Sequence, residues 1–345
     1  MFSLFDFNER PFLIIWETTR ACDLSCVHCR AAATPDPEPD ELTHEEAKRF
    51  IADVHRMGTP ILIFSGGDPL KRTDLEELVS YARGLGLRTG VIPAVTQNLT
   101  RERMKLLARA GLHQIAFSLD SADPIEHDQF RRVPGVYDRT LRAVKEAREV
   151  GLRVQINSLV NVHNTDGLDA LIELVENLPI VFWEIFFLVP TGRGKILPLL
   201  EAEKFKQAFE KIYAVNKRAS FIVKVTEAPH YRRFVQEKKE MAHALVGARP
   251  AMPRELTRGV GPDNGIGHAP QGVNSGKGFL FVSSRGNVMP SGFLPIHLGN
   301  VREESVVDIY RESPVLKELR NPLLLKGRCG DCTYADICGG SRARA

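Results

Sequence analysis

The sequence of 345 residues has no run of the eighteen or so apolar residues that a membrane-spanning helix requires, and no basic N-terminal segment followed by an apolar one. A membrane partner and a secretory signal are therefore not expected, and the composition reads as that of a cytoplasmic protein. Charge of one sign is also missing: 46 basic against 43 acidic residues leave a net +3, which gives no reason to expect nucleic acid. Cysteine is scarce. All six fall into two groups of three, Cys22/Cys26/Cys29 and Cys329/Cys332/Cys338, with none spare. A disulfide framework would spread its cysteines more widely, so the grouping points to metal or redox chemistry in a reducing compartment.

A fourth cysteine beside the first three is lacking as well, since the next after Cys29 is Cys329. Structural zinc normally takes four protein ligands. His28 is a candidate fourth, but a side chain wedged between two ligands along the chain rarely points at the same metal as both. Closely spaced thiolates are the usual holders of iron–sulfur clusters. A zinc site remains the alternative for either group.

What is present is an ordinary globular composition, 43% hydrophobic and 26% charged, long enough for one large domain or one plus a small one. Short apolar, β-branched runs at 12–16, 60–64, 88–92, 114–118, 153–159 and 181–189 alternate with helical periodicity at 44–57, 73–86, 101–111, 137–150 and 166–177. Thr43 and Glu46 make a plausible capping box. Strict alternation implies parallel strands with right-handed crossovers. Six units make an open, partial (β/α)6 TIM-like barrel, whose chemistry belongs at the C-terminal ends of its strands. Cys22 to Cys29, Gly66 and Gly67, Ser118 and Asp120, Asn157 and Ser158, and 191–194 all follow strands and should converge on one rim.

Beyond the barrel, 196–240 reads as a charged helix, a strand near 221–225 and then a stretch carrying His230, Arg232 and Arg233. The Gly-, Pro- and Asn-rich 248–278 reads as a loop, lid or domain joint. A β-hairpin turning at Ser284 to Asn287 and helices at 305–311 and 314–320 lead to the second cysteine group. This divides the chain into a barrel at 1–200, a connecting region at 201–278 and a small C-terminal iron–sulfur α+β extension at 279–345.

Three motifs together carry a resemblance: Cys22-x3-Cys26-x2-Cys29 after the first strand, Ser65-Gly66-Gly67-Asp68-Pro69 after the second, and Ser118-Leu119-Asp120 ending a later one. In type and spacing the chain resembles the radical S-adenosylmethionine (radical SAM) enzymes. The resemblance implies a [4Fe–4S] cluster on Cys22, Cys26 and Cys29, with one iron left for the amino and carboxylate groups of S-adenosylmethionine. The reduced cluster would cleave the sulfonium, and a 5′-deoxyadenosyl radical would take a hydrogen atom from substrate. Gly66 and Gly67 would let backbone approach the methionyl part, and Asp68, one methylene shorter than the family's Glu, would receive the amino group. Ser118 and Asp120 would serve the ribose, with Asn157 and Ser158 as similar candidates. Thr191 to Gly194 would offer backbone to the adenine, and Arg193 a partner to a carboxylate. Each has a plainer reading as a tight turn, a side-chain cap or a loop.

Cys329-x2-Cys332-x5-Cys338 resembles the auxiliary-cluster region of SPASM or twitch members. Ser291 and Ser341 stand where many relatives have cysteine, which implies one auxiliary [4Fe–4S] cluster and not two, its fourth ligand open. Resemblance is closest to members acting in haem and haem d1 biosynthesis and in peptide maturation. The substrate would be a tetrapyrrole or a peptide, and the short segment before strand one favours the tetrapyrrole. An electron donor such as flavodoxin or ferredoxin is implied. Arg132, Arg193, Arg232 and Arg233, with His230, could gather at the rim for an acidic substrate; a solvated helix face is the alternative. An iron–sulfur electron carrier or sensor without radical chemistry stays open as another class.

Overall fold

The computed structural model describes residues 5–246, 269 and 272–344. Most of the loop expected at 248–278, including its centre at 259–267, lies outside the described residues. Six strands follow one another in the sheet as the alternation predicts: β1 (Leu13–Glu17), β2 (Ile61–Ser65), β3 (Arg88–Val91), β4 (Gln114–Ser118), β5 (Arg153–Val160) and β6 (Phe182–Phe187), each parallel to the next. Period-two burial separates two faces. Ile14, Trp16, Leu62, Phe64, Ile115, Phe117, Val154, Ile156, Trp183 and Ile185 join the helices in one large core. The opposite, concave face is left to Ile15, Ile63, Ser118, Asn157 and Glu184.

The helices on the outer layer are amphipathic for the same reason. In α1 (His44–Met57), Ala47, Phe50, Ile51 and Val54 fall at i, i+3, i+4 and i+7 and are buried. Thr43 and Glu46 form the expected capping box, and Gly58 closes the helix at φ +79°. The rest of the layer is α2 (Leu75–Gly84), α3 (Arg101–Arg109), α4 (Pro124–Arg131), α5 (Val136–Glu149), α6 (Leu168–Glu176) and α7 (Ala202–Arg218). Helix α4 is absent from the periodicity reading. Its signal is local: Asp123 caps the amides of Ile125 and Glu126, and Pro124 occupies the first turn.

Two strands extend the six-stranded barrel beyond the expected boundaries. β7 (Ile222–Thr226) adds parallel to β6, and β8 (Phe279–Val282) adds parallel to β1 on the other edge. β9 (Asn287–Met289) and β10 (Gly299–Asn300) then continue antiparallel from β8, which realises the expected hairpin. One ten-stranded sheet therefore runs through both the connecting region and the C-terminal extension. Residues 230–246, where the sequence reading ends in a polar stretch, form α8 (His230–Val246).

Helices α9 (Val306–Glu312) and α10 (Pro314–Arg320) pin the start of the chain. The buried Tyr310 hydroxyl donates to Phe7 O at 2.6 Å, and Arg320 Nη1 donates to Asn8 O at 3.2 Å and Tyr310 O at 3.1 Å. Short helices α11 (Gly327–Gly330) and α12 (Ala335–Cys338) carry the last cysteines. Tyr310→Phe removes one buried hydrogen bond at constant shape and should cost about 1 kcal/mol. Urea unfolding checks it: a lower midpoint at unchanged slope is expected, and an unchanged midpoint would mean that this contact does not hold the N-terminal segment.

Candidate functional site

The first cysteine loop leaves β1 and returns on itself. Ala21 bridges Thr34, Cys22 N donates to Thr34 O at 2.7 Å, and Thr34 N donates to Arg20 O at 3.2 Å. Inside, Cys29 N turns back to Cys26 O at 3.2 Å, and Ala32 takes φ +49° to close the bend. Cys22 and Cys26 are 7% and 8% exposed and pack in one cluster with Leu24, Ala33 and the half-buried Cys29. Each sulfur accepts one N–H: Cys22 from Leu24 N at 3.3 Å, Cys29 from Ala33 N at 3.5 Å, Cys26 from Arg131 Nη1 at 3.8 Å.

Burial pushes the Cys22 thiol up to about 12, and the charges of Asp68, Cys26 and Cys29 push the same way. Burial also raises Cys26, against the pull of Arg131. Three thiols so placed oppose each other's ionisation; a cationic centre lets all three be thiolates at once. The donor set therefore fits an iron–sulfur cluster. Among the described residues, no three His, Cys, Asp or Glu side chains converge on one metal-ion position. A cluster asks for a different arrangement, one thiolate at each of three corners.

Gly66 and Gly67 serve this loop directly. A Cβ on Gly66, which sits at φ +142°, would run into Thr19 O, and one on Gly67 would run into Ala21 O. Gly67 N and Asp68 N donate to Thr19 O and Ala21 O at 2.8 and 2.7 Å. What the missing side chains admit is the root of the cysteine loop. Asp68, expected as an amino-group receiver, has protein partners here. It is fully buried and accepts from Leu70 N at 3.1 Å, Ala94 N at 3.3 Å, Thr96 Oγ1 at 2.9 Å and Asn98 Nδ2 at 3.4 Å. Burial raises its carboxyl while these bonds lower it, and burial prevails. It ties the ends of β2 and β3 together.

Asp120 is also committed. Its Oδ2 takes a fork from Arg131, Nε at 2.8 Å, and its Oδ1 accepts from Leu159 N at 2.9 Å. Despite burial, the charge of Arg131 holds its carboxyl below the usual carboxylate range. Ser158 Oγ donates to Leu119 O and accepts from Trp183 Nε1 at 2.9 Å, so it faces the core and not the rim. Ser118 and Asn157 are the pair the structure does bring together. They stand opposite each other across β4 and β5, and the row continues in register to Glu184 and Lys224. Glu184 accepts from Lys224 Nζ and Thr226 Oγ1 at 2.7 Å, and from Gln155 Nε2 at 3.0 Å. One side of the concave face is thus polar, while Ile15, Ile63 and Phe281 make the other apolar.

Each residue expected to gather at the rim has its own surroundings. Arg193 clamps the cysteine loop, Nε to Cys26 O at 2.9 Å and Nη1 to Ala33 O at 3.0 Å, because Gly192 at φ +53° lets 191–194 lie against Cys29 and Arg30. Arg132 is exposed at the left-handed C-cap of α4. Arg233 pairs with Glu237 at 2.7 Å one turn along α8. His230 packs edge-on against Phe205 and Phe209, and burial lowers it to about 4. Arg232 braces the second cysteine group, donating to Asn274 Oδ1 at 3.1 Å and to Val273 O, while Asn274 Nδ2 donates to Cys338 O at 3.0 Å.

At that second group Cys329 is exposed, and Cys332 and Cys338 are half-buried. Burial raises the Cys338 thiol, and the charges of Cys329 and Cys332 act in the same direction. Ser291 and Ser275 hydrogen-bond to each other at 2.9 Å and are both buried. Arg131 and Glu227 are the residues that sequence reasoning misses. Arg131 lies in a segment legible only as a charged helix face. Glu227, just past β7, takes φ +60°, a strained backbone that nothing in its residue type announces.

The chain matches the Radical SAM superfamily over residues 16–178 and an iron-sulfur cluster-binding domain, SPASM, over residues 274–333. It is 38% identical over 335 residues to the AdoMet-dependent heme synthase of Oleidesulfovibrio alaskensis, covering 96% of this chain and 82% of that protein. With the AdoMet-dependent heme synthase of Methanosarcina barkeri it shares 37% identity over 338 residues, covering 98% and 93%. Among solved structures, Streptococcus suis SuiB bound to S-adenosylmethionine has the same fold, with a TM-score of 0.72 at 14% identity over 96% of this chain and 72% of that one.

Two outcomes follow from this geometry. Gly67→Ala should displace the loop root and lower the iron and sulfide retained per chain after anaerobic reconstitution at least twofold, with far-ultraviolet circular dichroism unchanged; full retention would mean that the close approach is not needed. Burial raises the Glu227 carboxyl from 4.5 to about 7, with Glu184 adding to the rise and Arg344 and Lys224 opposing it. The folded state therefore holds this proton more tightly than the unfolded chain. The resulting stabilisation is complete below the unfolded value and is lost as pH rises through about 7. Wild type should lose stability relative to Glu227→Gln between about pH 4.5 and pH 7, and a difference independent of pH would refute the shift.

Proposed function

The chain belongs to the radical SAM superfamily and is a radical SAM enzyme, and from that premise we propose that it modifies a carboxylate-bearing tetrapyrrole in haem formation. The observation that carries the substrate is similarity along nearly the whole chain to two heme synthases at 37–38% identity. The concave face agrees with it. Its polar row, with Ser118 and Asn157 at the strand ends, offers hydrogen-bonding groups for polar substituents.

In this reading Cys22, Cys26 and Cys29 hold the [4Fe–4S] cluster and leave one iron to S-adenosylmethionine. When bound, the two together supply a one-electron cleavage of the sulfonium and hence a hydrogen-abstracting group. The protein's own part is positional. The Gly66–Gly67 contact and Arg193 fix the loop, burial keeps water from the sulfurs, and Ser118 and Asn157 offer hydrogen bonds at the strand ends. Cys329, Cys332 and Cys338 hold one auxiliary [4Fe–4S] cluster, and serine stands at 291 and 341, where a further cluster would need cysteine. A small acidic redox protein, flavodoxin or ferredoxin, supplies the electron in the cytoplasm. The division at 200 and 278 marks units that share one continuous sheet.

Anaerobic reconstitution followed by dithionite and S-adenosylmethionine should yield 5′-deoxyadenosine, lost in Cys26→Ala. With tetrapyrroles deuterated on their carboxyl-bearing side chains, deuterium should enter 5′-deoxyadenosine and the macrocycle should change mass. Formation of 5′-deoxyadenosine with every tetrapyrrole unchanged, or deuterium transfer from a peptide instead, would overturn the substrate.

A further inference from the structure

The three sulfurs of the first loop each receive one N–H, and the donors are unlike. Those to Cys22 and Cys29 are neutral amides of the loop itself. The donor to Cys26 is a full positive charge delivered by the last residue of α4. Arg131 is only 9% exposed, and a guanidinium so placed must be paired. Its Nε and Nη2 fork onto Asp120 Oδ2, which directs Nη1 toward the sulfur. Asp120 cannot drift, since Oδ1 accepts from Leu159 N at 2.9 Å and its own amide donates to His127 Nδ1 at 3.2 Å. The aim of the guanidinium is thus fixed by β5, by the end of β4 and by α4 together.

We propose that Arg131 is a positioning residue which, aimed by Asp120, raises the reduction potential of the centre that Cys26 holds. This rests on the reading that Cys22, Cys26 and Cys29 bind the [4Fe–4S] cluster. Taking up one electron adds negative charge to the cluster and its thiolates. A cation donating to one sulfur stabilises that reduced state more than the oxidised one, and hydrogen bonds to sulfur are among the factors that set cluster potentials. Neutral amides at the other two sulfurs do so more weakly. Asp120, in a motif suggestive of a ribose ligand, acts here through Arg131.

The test is a redox titration of the reconstituted full chain, followed by electron paramagnetic resonance. The first cluster is identified as the signal that changes on adding S-adenosylmethionine. In Arg131→Met the ratio of reduced to oxidised cluster in that signal at fixed poise should fall at least tenfold, equivalent to 59 mV for one electron. Arg131→Lys keeps the charge without the fork and should fall in between. Iron and sulfide content, measured alongside, separates this from a merely structural role. A variant that loses iron while its remaining clusters keep the wild-type potential overturns the proposal, as does full loading with no shift. If no signal responds to S-adenosylmethionine even in the wild type, the underlying reading fails instead.

Discussion

The constraint on which the rest depends is that three thiols are held together away from water. Burial makes Cys22 and Cys26 harder to ionise, and the charges of neighbouring cysteines add to this. Such a loop will not hold its shape by itself, so the fold grips it from several sides. Ala21 and Thr34 close its root, the Gly66–Gly67 turn presses on that root from β2, and Arg193 reaches two of its carbonyls from beyond β6. From α4, Phe130 O accepts Val27 N at 3.0 Å. The partial barrel brings these strand ends to one rim, and here the rim acts first as a clamp.

That explains why several motif residues at the strand ends have protein partners. A polar group at a strand end beneath a packed loop is buried before any cofactor arrives, and a buried polar group needs a partner. Asp68 finds four donors, Asp120 finds Arg131 and Leu159 N, and Ser158 finds Leu119 O and Trp183 Nε1. Ser118 and Asn157 lie instead on the concave face, away from the helices, where Asn157 Oδ1 accepts from Gln155 Nε2 at 2.6 Å. Parity along the strand decides this: Asn157 and Ser158 are neighbours in sequence and point to opposite faces.

Much of the architecture was legible in the sequence because period-two runs and helical periodicity report burial directly. Strands β1 to β6 and helix α1 lie where those patterns place them. Less was legible where the determining contact is remote. The pairing of β8 with β1 joins Leu13 to Phe279, and no local pattern distinguishes an edge strand of the barrel from the first strand of a separate unit. Asp123-Pro124 was a usable helix start that a search for longer periodicity passes over. The cysteines could be picked out by spacing alone, but the role of Arg131 could not. It depends on a charge being held against Cys26 by a carboxylate on another strand.

The two cysteine groups differ in a way that bears on electron flow. The first is the more enclosed, with Cys22 and Cys26 buried, Cys29 half-buried and a cation beside Cys26. The second lies at the surface, with Cys329 exposed and Arg232 and Arg342 close enough for their charges to be felt. Solvent exposure and nearby positive charge both favour the reduced form of a cluster. Clusters of equal type at the two sites would therefore not be isopotential, and the balance is set by how far the single guanidinium at Cys26 offsets the burial there. An enclosed centre without it would be the harder of the two to reduce, and an electron arriving at the exposed site would have little tendency to move inward. The Asp120–Arg131 pair narrows that gap while leaving the first loop dry.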